Sequence, residues 1–150
     1  MAGVEKRVDS LSDAERSVRM SKVRSKGNQS TELVVEQAFR HAQLRGWRKH
    51  PKYIPGKPDF YFSKQKLAVF VDGCFWHACP QCARRPPVSR AEFWRAKIDA
   101  NRRRDLRTRR LLRKHGFKTM RLWEHELRGD SWLRRLCSRL LRIDRDTRGE

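Results

Sequence analysis

Long apolar runs are missing from this sequence. Its longest uninterrupted apolar stretch covers only residues 67–71, whereas a helix that crosses a membrane needs about 20 such residues. The first ten residues, MAGVEKRVDS, contain no apolar segment of the kind found at the centre of a secretory signal. These absences argue against a membrane or secreted protein, and we expect the chain to be soluble and cytoplasmic.

Acidic residues are also scarce. The chain has 17 Asp and Glu residues against 37 Lys and Arg residues, which gives a formal net charge of +20. Such a chain repels itself unless it meets a polyanion, and nucleic acid is the commonest one. The charge therefore predicts a nucleic-acid partner and binding that weakens steeply with salt. It distinguishes neither DNA from RNA nor an enzyme from a packaging protein.

Hydrophobic periodicity predicts four helices and three strands in the order ααββαβα. The helices are expected over residues 13–22, 31–45, a long segment up to residue 114, and 132–143, with a turn at 25–30; the strands are expected over 59–62, 67–71 and 117–123. Capping-box patterns at Ser12 and Ser89 start the first and third helices, and Gly46 ends the second.

This order predicts an α/β fold, a small mixed sheet flanked by helices. The first two strands should form a hairpin, and the second, which is nearly all apolar, should be buried on both faces. We expect a single domain over residues 16–143, with flexible segments at 1–15 and 144–150. Residues 73–88 should form an irregular loop.

Cysteines are few and unevenly spaced. Only four occur, and three of them lie within nine residues: Cys74, Cys79 and Cys82. In an intracellular chain this spacing favours a metal site over a disulfide framework. The two residues between the last two cysteines allow both sulfur atoms to face one zinc ion. The alternative is three reduced cysteines without a metal.

Structural zinc is tetrahedral, so the site needs a fourth ligand. The candidates are His125, Cys137 and His77. His125 is favoured, because it follows the last predicted strand and would lie beside the strand that leads into the cysteine loop. A closed site with four protein ligands would be structural, and it would hold a loop that a short chain cannot otherwise order.

Acidic residues stand at the ends of the two hairpin strands. Asp59 opens the first strand and Asp72 ends the second, so both carboxylates are expected at one edge of the sheet. Carboxylates of this kind bind Mg²⁺, which phosphodiester hydrolysis uses to neutralise developing charge. His77 lies just beyond as a candidate proton acceptor, and Glu32 is a candidate holder of a metal-bound water. Taken singly, an Asp after proline is more often a turn residue, and a lone His is more often structural.

Aromatic residues cluster beside this candidate site. Phe75, Trp76 and Trp94 either cover the core or form a wedge that unstacks base pairs. Trp94, Lys97, Asn101 and Asp105 share one helix face, which suits contact with DNA or with the active site. Residues 101–114, NRRRDLRTRRLLRK, are rich in arginine, as expected of a helix that contacts phosphates.

These motifs together resemble the very-short-patch repair (Vsr) mismatch endonucleases. The resemblance covers roughly residues 16–128. It rests on RSVRMSKVRSKGNQSTEL (16–33), PGKPDF (55–60), AVFVDGCFWHACPQC (68–82), EFWRAKIDANRRRD (92–105) and HGFKTMRLWEHEL (115–127). It implies a restriction-endonuclease-like core with a structural zinc, and a Mg²⁺-dependent enzyme that nicks one DNA strand beside a T:G mispair.

The resemblance also implies roles for single residues. Asp59 would be the central Mg²⁺ ligand, with the carbonyl of Val71 in the same site, His77 as general base and Glu32 near the metal-bound water. A direct metal role for Asp72 is left open, since family members vary there. The zinc ligands would be Cys74, Cys79, Cys82 and His125. The aromatic wedge would be Phe75, Trp76 and Trp94, and the residues nearest the mispair would be Met20, Lys97 and Asn101.

The partner implied is double-stranded DNA with a T:G mispair, which arises when 5-methylcytosine deaminates. This links the chain functionally to a cytosine-5 DNA methyltransferase in a bacterial cell. A monomer is expected, because a two-fold dimer would favour palindromic cleavage. One departure from the wider nuclease superfamily is clear: the strand that ends at Val71-Asp72-Gly73 lacks the usual lysine.

Three other functions remain open from the sequence. A nuclease of the same fold, of restriction or homing type, would cut matched sites, often on both strands. A non-catalytic, zinc-stapled module would bind distorted duplex without cutting it. A basic RNA-binding protein of ribosomal type is the third, and the group formed by Asp59, Asp72 and His77 argues against it, since RNA binding needs no such group.

Overall fold

A computed structural model of the protein describes residues 12–82 and 88–149, without the side chains at residues 13, 16, 17 and 20–30. The described chain is a four-stranded mixed sheet with helices on both faces. Its elements are α1 (Asp13–His41), β1 (Trp47–Lys49), β2 (Phe60–Phe62), β3 (Leu67–Asp72), α2 (Ala91–Lys114), β4 (Lys118–Trp123), a 3₁₀ helix (Glu124–Arg128) and α3 (Ser131–Asp146). The α/β class predicted from the sequence is confirmed.

The sheet has the strand order β1-β2-β3-β4. The expected hairpin is present, with Phe60 opposite Val69 in the antiparallel pair of β2 and β3. The chain returns to the sheet through α2, and β4 then pairs in parallel with β3. Five of the six β3 residues are buried, as its apolar sequence predicts for a strand covered on both faces.

Two apolar clusters hold the helices against the sheet. One cluster joins α1, α3 and one face of the sheet; its fully buried members are Val35, Phe39, Phe60, Phe62, Leu67, Val69, Leu122 and Leu136. The other joins α2 and the loop before β2 to the opposite face; it contains Ile54, Tyr61, Ala68 and Leu112. The sheet is therefore a shared layer between two small cores.

The first helix differs from the prediction. The capping box at Ser12 is confirmed, since the Glu15 backbone N–H donates to Ser12 Oγ and the Ser12 backbone N–H donates to Glu15 Oε2. The predicted turn at residues 25–30 and the helix end at Gly46 are both wrong: α1 is one continuous helix that ends at His41. The expected turn contains one glycine, Gly27, and a single internal glycine costs a helix only about 1 kcal/mol, so the helix continues through it. At the other end, the helix stops before Gly46 because Gln43 already takes the left-handed conformation, with φ of 53°.

Three further boundaries were missed. The short edge strand β1 was not predicted, because three residues are too few to show a periodicity. The capping box at Ser89 does not form: α2 begins at Ala91, after Arg90 in the left-handed conformation and without a side-chain cap. The last helix continues to Asp146, three residues beyond the predicted end. Among the described residues, no helix combines the length and the apolar character needed to cross a bilayer.

Candidate active site and cysteine cluster

Asp59 lies where β2 and β3 are held together. It directly precedes β2, and the antiparallel register places it beside the far end of β3. There its Oδ2 accepts a 2.6 Å hydrogen bond from the backbone N–H of Val71. The Asp59 carbonyl accepts a second bond, 3.0 Å long, from the backbone N–H of His50. The bond from His50 thus holds the backbone of Asp59, and the bond from Val71 holds its carboxylate against β3.

Glu32 and His50 complete a cluster around Asp59. Glu32, on α1, is only 6% exposed, and its Oε2 lies 2.8 Å from His50 Nε2. His50 Nε2 is 4.0 Å from Asp59 Oδ1. The ligand atoms of the three residues all lie within 4.8 Å of one another. Carboxylate and imidazole groups at this separation are a donor set for one divalent cation.

The carboxyl groups of this cluster are crowded. Burial, followed by the nearby Glu32 and Asp72 carboxyls, raises the pKa of Asp59 to about 8, although the hydrogen bond from Val71 lowers it. Two carboxyl groups in contact and shielded from water need a proton or a cation between them. A cation would therefore satisfy a charge arrangement that the protein side chains alone leave unfavourable.

His77 belongs to a second cluster, beside the first. Its Nδ1 lies 2.6 Å from Asp105 Oδ2, on α2, and its Nε2 lies 3.6 Å from Asp72 Oδ1, at the end of β3. Arg121, on β4, contacts the same two carboxylates: its Nε is 2.5 Å from Asp72 Oδ2 and its Nη2 is 3.0 Å from Asp105 Oδ2. Carboxylates from α2 and β3 therefore flank the histidine, and Arg121 on β4 pairs with both of them.

The two carboxylates beside His77 differ in their proton affinity. Burial raises the pKa of Asp72, although His77 and Arg121 lower it. Burial acts in the same direction on Asp105, but the hydrogen bond and charge of His77, together with Arg121, hold its pKa below the ordinary value. Asp105 is accordingly the carboxylate that stays ionised against the imidazole.

A cavity of about 470 Å³ connects the two clusters. Asp59 and His77 both line it, and so do four basic side chains from different parts of the chain: Lys57, Arg104, Arg109 and Arg121. The long helix α2 forms one wall and strands β3 and β4 form another. A cavity with carboxylates, a histidine and several cations around it can accept a phosphodiester group.

The aromatic residues Phe75, Trp76 and Trp94 form a contiguous group, and Trp76 directly precedes His77 in the chain. The ring centroids of Phe75 and Trp76 are 5.1 Å apart, and those of Trp76 and Trp94 are 5.8 Å apart. Trp94 is buried, at 6% exposure, whereas Phe75 and Trp76 are partly exposed. Trp94 therefore backs the other two rings and contributes little surface of its own.

Two further residues of α2 support this group. The Asn101 side-chain amide donates a 3.1 Å bond to the carbonyl of Trp76, so Asn101, which is 5% exposed, holds the aromatic loop. Lys97 Nζ lies 5.9 Å from the centre of the Trp76 ring. The Met20 side chain lies outside the described residues.

The three clustered cysteines and His125 come together as one group. His125 Nδ1 is 3.2 Å from Cys74 Sγ, 3.5 Å from Cys79 Sγ and 3.4 Å from Cys82 Sγ. His125 lies in the 3₁₀ helix that follows β4, and its Nε2 is 2.8 Å from Gln81 Oε1. Three sulfur atoms and one nitrogen within 4.8 Å form a possible tetrahedral metal site.

The proton affinities of the sulfur atoms reflect their surroundings. Burial raises the pKa of the Cys74 thiol to about 12. Burial also acts on Cys79, but hydrogen bonds from the backbone of Cys82 and Gln81 lower its pKa overall. Backbone donors to a sulfur stabilise the thiolate that a metal requires. Of the other two candidates for the fourth position, His77 faces Asp105, and Cys137 lies on α3.

The structure brings some of the predicted site residues together and keeps others apart. The structure brings Glu32 to Asp59, and it brings Asp72 to His77. It does not unite Asp59 and Asp72 as ligands of one group, because Asp72 is paired with Arg121. His50 and Arg121 were missed. Asp105 carried a signal, since it continues the polar stripe on α2 that begins at Trp94, yet no pattern in the sequence pairs it with a histidine 28 residues earlier.

Several known proteins are similar in sequence to this chain. The family model described as DNA mismatch endonuclease Vsr matches residues 8–84. The type II nicking enzyme V.NmeAIP of Neisseria meningitidis is 37% identical over 140 residues, which are 92% of this chain and 97% of that enzyme. The type II nicking enzyme V.XorIIP of Xanthomonas oryzae is 37% identical over 119 residues, 79% of this chain and 86% of the enzyme.

The DNA mismatch endonuclease Vsr of Escherichia coli is 38% identical to this chain over 76 residues, which are 51% of the chain and 49% of that enzyme. The match to the family model and the near-complete alignment with V.NmeAIP show that the chain belongs to the Vsr family of DNA endonucleases. The family has a restriction-endonuclease-like fold, which confirms the fold predicted from the sequence.

Proposed function

We propose that this chain is a Mg²⁺-dependent endonuclease that nicks one strand of DNA beside a T:G mispair, in very-short-patch repair in the bacterial cytoplasm. One observation carries the proposal: the Asp59 carboxylate and the His77–Asp105 pair line the same cavity, among four basic side chains. That cavity offers a cation site, a proton acceptor and phosphate-binding groups together, which is what phosphodiester hydrolysis requires. A module that only binds DNA needs neither the carboxylate nor the oriented histidine.

The two metal sites have different tasks in this proposal. Asp59 and the carbonyl of Val71 would hold Mg²⁺, with Glu32 close to the ion and to a water of the same site; the buried, crowded carboxyls fit a hard cation. When bound, Mg²⁺ neutralises charge on the phosphate and on the leaving oxygen. The cysteine cluster with His125 would hold Zn²⁺ as a structural ion, since its four protein ligands leave no open position.

His77 is the proposed general base. Its Nδ1 is engaged by the ionised Asp105, which favours the tautomer with a proton on Nδ1 and leaves Nε2 to accept a proton from water. Asp105 is a positioning residue in this scheme, because it acts through the imidazole. A cut that leaves 5′-phosphate and 3′-hydroxyl ends follows from attack by water on the side opposite the 3′ oxygen.

Recognition of the mispair is assigned to the aromatic group and its neighbours on α2. Phe75 and Trp76, supported by the buried Trp94, would enter the duplex and unstack it. Lys97 and Asn101 contact Trp76 from α2. Together with Met20, they would approach the mispair. The net charge of +20 would supply the phosphate contacts. A single chain is sufficient for one asymmetric mispair, and a cytosine-5 DNA methyltransferase would be its functional partner.

A second function deserves a direct test because of the names of the relatives. V.NmeAIP and V.XorIIP, which align with most of this chain, are both named type II nicking enzymes, whereas the mismatch endonuclease Vsr aligns with about half of it. A nicking enzyme that acts on a fixed matched site would use the same chemistry. The two functions differ only in whether the mispair is needed.

A strand-resolved cleavage assay separates these functions. Duplexes with one T:G mispair, and matched duplexes of the same sequence, are incubated with Mg²⁺ or with EDTA. We expect a single Mg²⁺-dependent nick beside the mispaired T, and none in the matched duplex. The variant Asp59→Ala should lose the nick, and Asp99→Ala, an exposed aspartate on α2, should keep it.

Cleavage of the matched duplex at a fixed sequence would transfer the assignment to the site-specific nicking enzyme. Binding of both duplexes without any cut, unchanged by Asp59→Ala, would refute the nuclease proposal and support a DNA-binding module.

A further inference from the structure

We infer that His50 is a direct ligand of the cation at Asp59 and that this nitrogen ligand makes the site favour a first-row transition ion such as Mn²⁺ over Mg²⁺. The inference rests on the proposed function in that it concerns the same cation site. It adds a residue that no motif in the sequence indicates. Its basis is the juxtaposition of His50, Glu32 and Asp59 at the end of strand β1.

The distances fit one shared ion. His50 Nε2 lies 2.8 Å from Glu32 Oε2 and 4.0 Å from Asp59 Oδ1. Ligands about 2.1 Å from an octahedral ion are roughly 3 Å apart when adjacent and roughly 4.2 Å apart when opposite. The distance from His50 to Glu32 agrees with adjacent ligands, and the distance from His50 to Asp59 agrees with opposite ligands. The three donor atoms also come from separate elements, as in many protein metal sites: helix α1, the end of β1 and the start of β2.

The backbone of His50 adopts a conformation that is unfavourable for a residue before proline, which supports a functional role. His50 has φ of 46°, in the left-handed region, although it precedes Pro51, and a residue before proline ordinarily prefers an extended conformation. The hydrogen bond from its N–H to the Asp59 carbonyl, 3.0 Å long, holds it there. Unfavourable backbone conformations that the surroundings maintain are concentrated at functional sites. Here the conformation turns the imidazole toward the two carboxylates.

A simple ion pair with Glu32 explains the arrangement less well. Lys49, the preceding residue, also approaches Glu32, at 3.8 Å, and it makes a closer contact of 3.0 Å with Glu36. Glu32 therefore has a cationic neighbour already. Asp59, with its carboxyl crowded against that of Glu32, has no lysine or arginine partner among the described residues. A cation held by all three donors would satisfy this unpaired carboxyl as well.

The choice of ion follows from ligand chemistry. Mg²⁺ is bound almost entirely by oxygen atoms and gives up its water reluctantly, whereas first-row transition ions bind sites of mixed nitrogen and oxygen donors, and Mn²⁺ is the member of that series that also suits carboxylate oxygen. One nitrogen among oxygen ligands should therefore strengthen Mn²⁺ binding and leave Mg²⁺ binding nearly unchanged. The enzyme would still use Mg²⁺ where that ion is abundant, but it would be activated by Mn²⁺ at much lower concentration.

Pulsed electron paramagnetic resonance of bound Mn²⁺ tests the inference directly. The full chain, with the cysteine cluster loaded with Zn²⁺, is mixed with less than one equivalent of Mn²⁺ and no DNA. We expect modulation from a directly coordinated nitrogen-14 nucleus in the unsubstituted protein. The signal should disappear in His50→Gln, whose amide can still donate to Glu32, and it should persist in the matched control His41→Gln, at the exposed end of α1.

Titration calorimetry provides the second measurement. His50→Gln should weaken Mn²⁺ binding by about tenfold or more and Mg²⁺ binding by less than about twofold, with circular dichroism used to confirm an unchanged fold. Absence of nitrogen coupling in the unsubstituted protein, or equal Mn²⁺ affinity in His50→Gln, would overturn the inference. Nitrogen coupling without nicking of any duplex would support the His50 ligand while refuting the proposed function. Nicking without nitrogen coupling would support the proposed function and overturn the assignment of His50 as a ligand.

Discussion

Gly56 is the point where the loop that carries Asp59 touches helix α2. It adopts φ of 80°, a conformation that disfavours any side chain. A Cβ atom at this position would overlap the Cγ2 methyl group of Thr108 and would lie 3.3 Å from Thr108 Cβ. Substitution by alanine therefore imposes two separate costs, one from the backbone and one from the contact with α2.

The magnitude of each cost can be assigned separately. The left-handed conformation costs an alanine about 1–2 kcal/mol, and forced overpacking of a close contact typically costs about 1–3 kcal/mol. We expect Gly56→Ala to reduce the free energy of unfolding by roughly 2–5 kcal/mol in urea denaturation. Thr108→Ser removes the overlapping methyl group. The double variant Gly56→Ala/Thr108→Ser should recover the contact term, about 1–3 kcal/mol, and keep the backbone term.

A double-mutant cycle in urea measures this recovery. The matched control is Gly149→Ala, since Gly149 lies at the end of the chain and a Cβ there meets only the Arg145 carbonyl at 3.5 Å; it should change stability by less than about 0.5 kcal/mol. If the effects of Gly56→Ala and Thr108→Ser simply add, the contact between the loop and α2 does not carry the cost, and the reasoning is refuted. Because Asp59 follows Gly56 by three residues, nicking should be lost and recovered together with stability.

Three further perturbations have distinct expected results. Asp105→Asn should lower the nicking rate constant by about 10²–10⁴-fold, because it releases the imidazole of the proposed base, and it should leave DNA affinity unchanged. Asp99→Asn is the control. A large loss of DNA affinity in Asp105→Asn would contradict the positioning role. His125→Ala should reduce bound zinc, measured by elemental analysis, and lower the melting temperature, whereas Cys137→Ser should do neither; full zinc retention in His125→Ala would argue against this ligand. Trp132→Ala should cost about 3–5 kcal/mol in urea unfolding, because the side chain is 2% exposed, and a loss below about 1 kcal/mol would place it outside the core.

The sequence predicts the sheet better than the ends of its elements. Strands β2, β3 and β4 have enough alternating or continuous apolar residues to be recognised, and the buried β3 fits its nearly uninterrupted apolar run. The error in α1 has a clear cause: the polar segment at residues 25–30 is typical of a turn, yet a helix that is anchored at one end by the Ser12 cap continues through it. The failure at Ser89 is of the opposite kind, since a correct capping pattern is present and is not used.

Most of the predictable part of the candidate site consists of residues close in sequence; Glu32 and His125 are the distant residues that the sequence also indicated. Asp59, Asp72 and His77 stand at strand ends and in one loop, so a hairpin suffices to bring them near one another. Asp105 and Arg121 reach His77 only after the chain has passed through α2 and β4. No local pattern specifies that meeting, because it depends on the parallel register of β3 with β4. His50 is hidden for another reason: it reaches Asp59 and Glu32 through the pairing of β1 with β2, and β1 has only three residues, too few to be predicted.

The parallel pairing of β3 with β4 also determines at which stage of protein synthesis the active site can form. Leu67 pairs with Lys118, about fifty residues later, and the cysteine loop and α2 occupy the interval. Contacts this distant form slowly during folding, because the entropy of closing the loop is lost before the contacts compensate for it. Arg121 and His125 arrive with the last strand and the turn after it. A growing chain on the ribosome therefore carries an aspartate and a histidine long before it can orient them, and we expect cutting to begin only when synthesis has passed this strand.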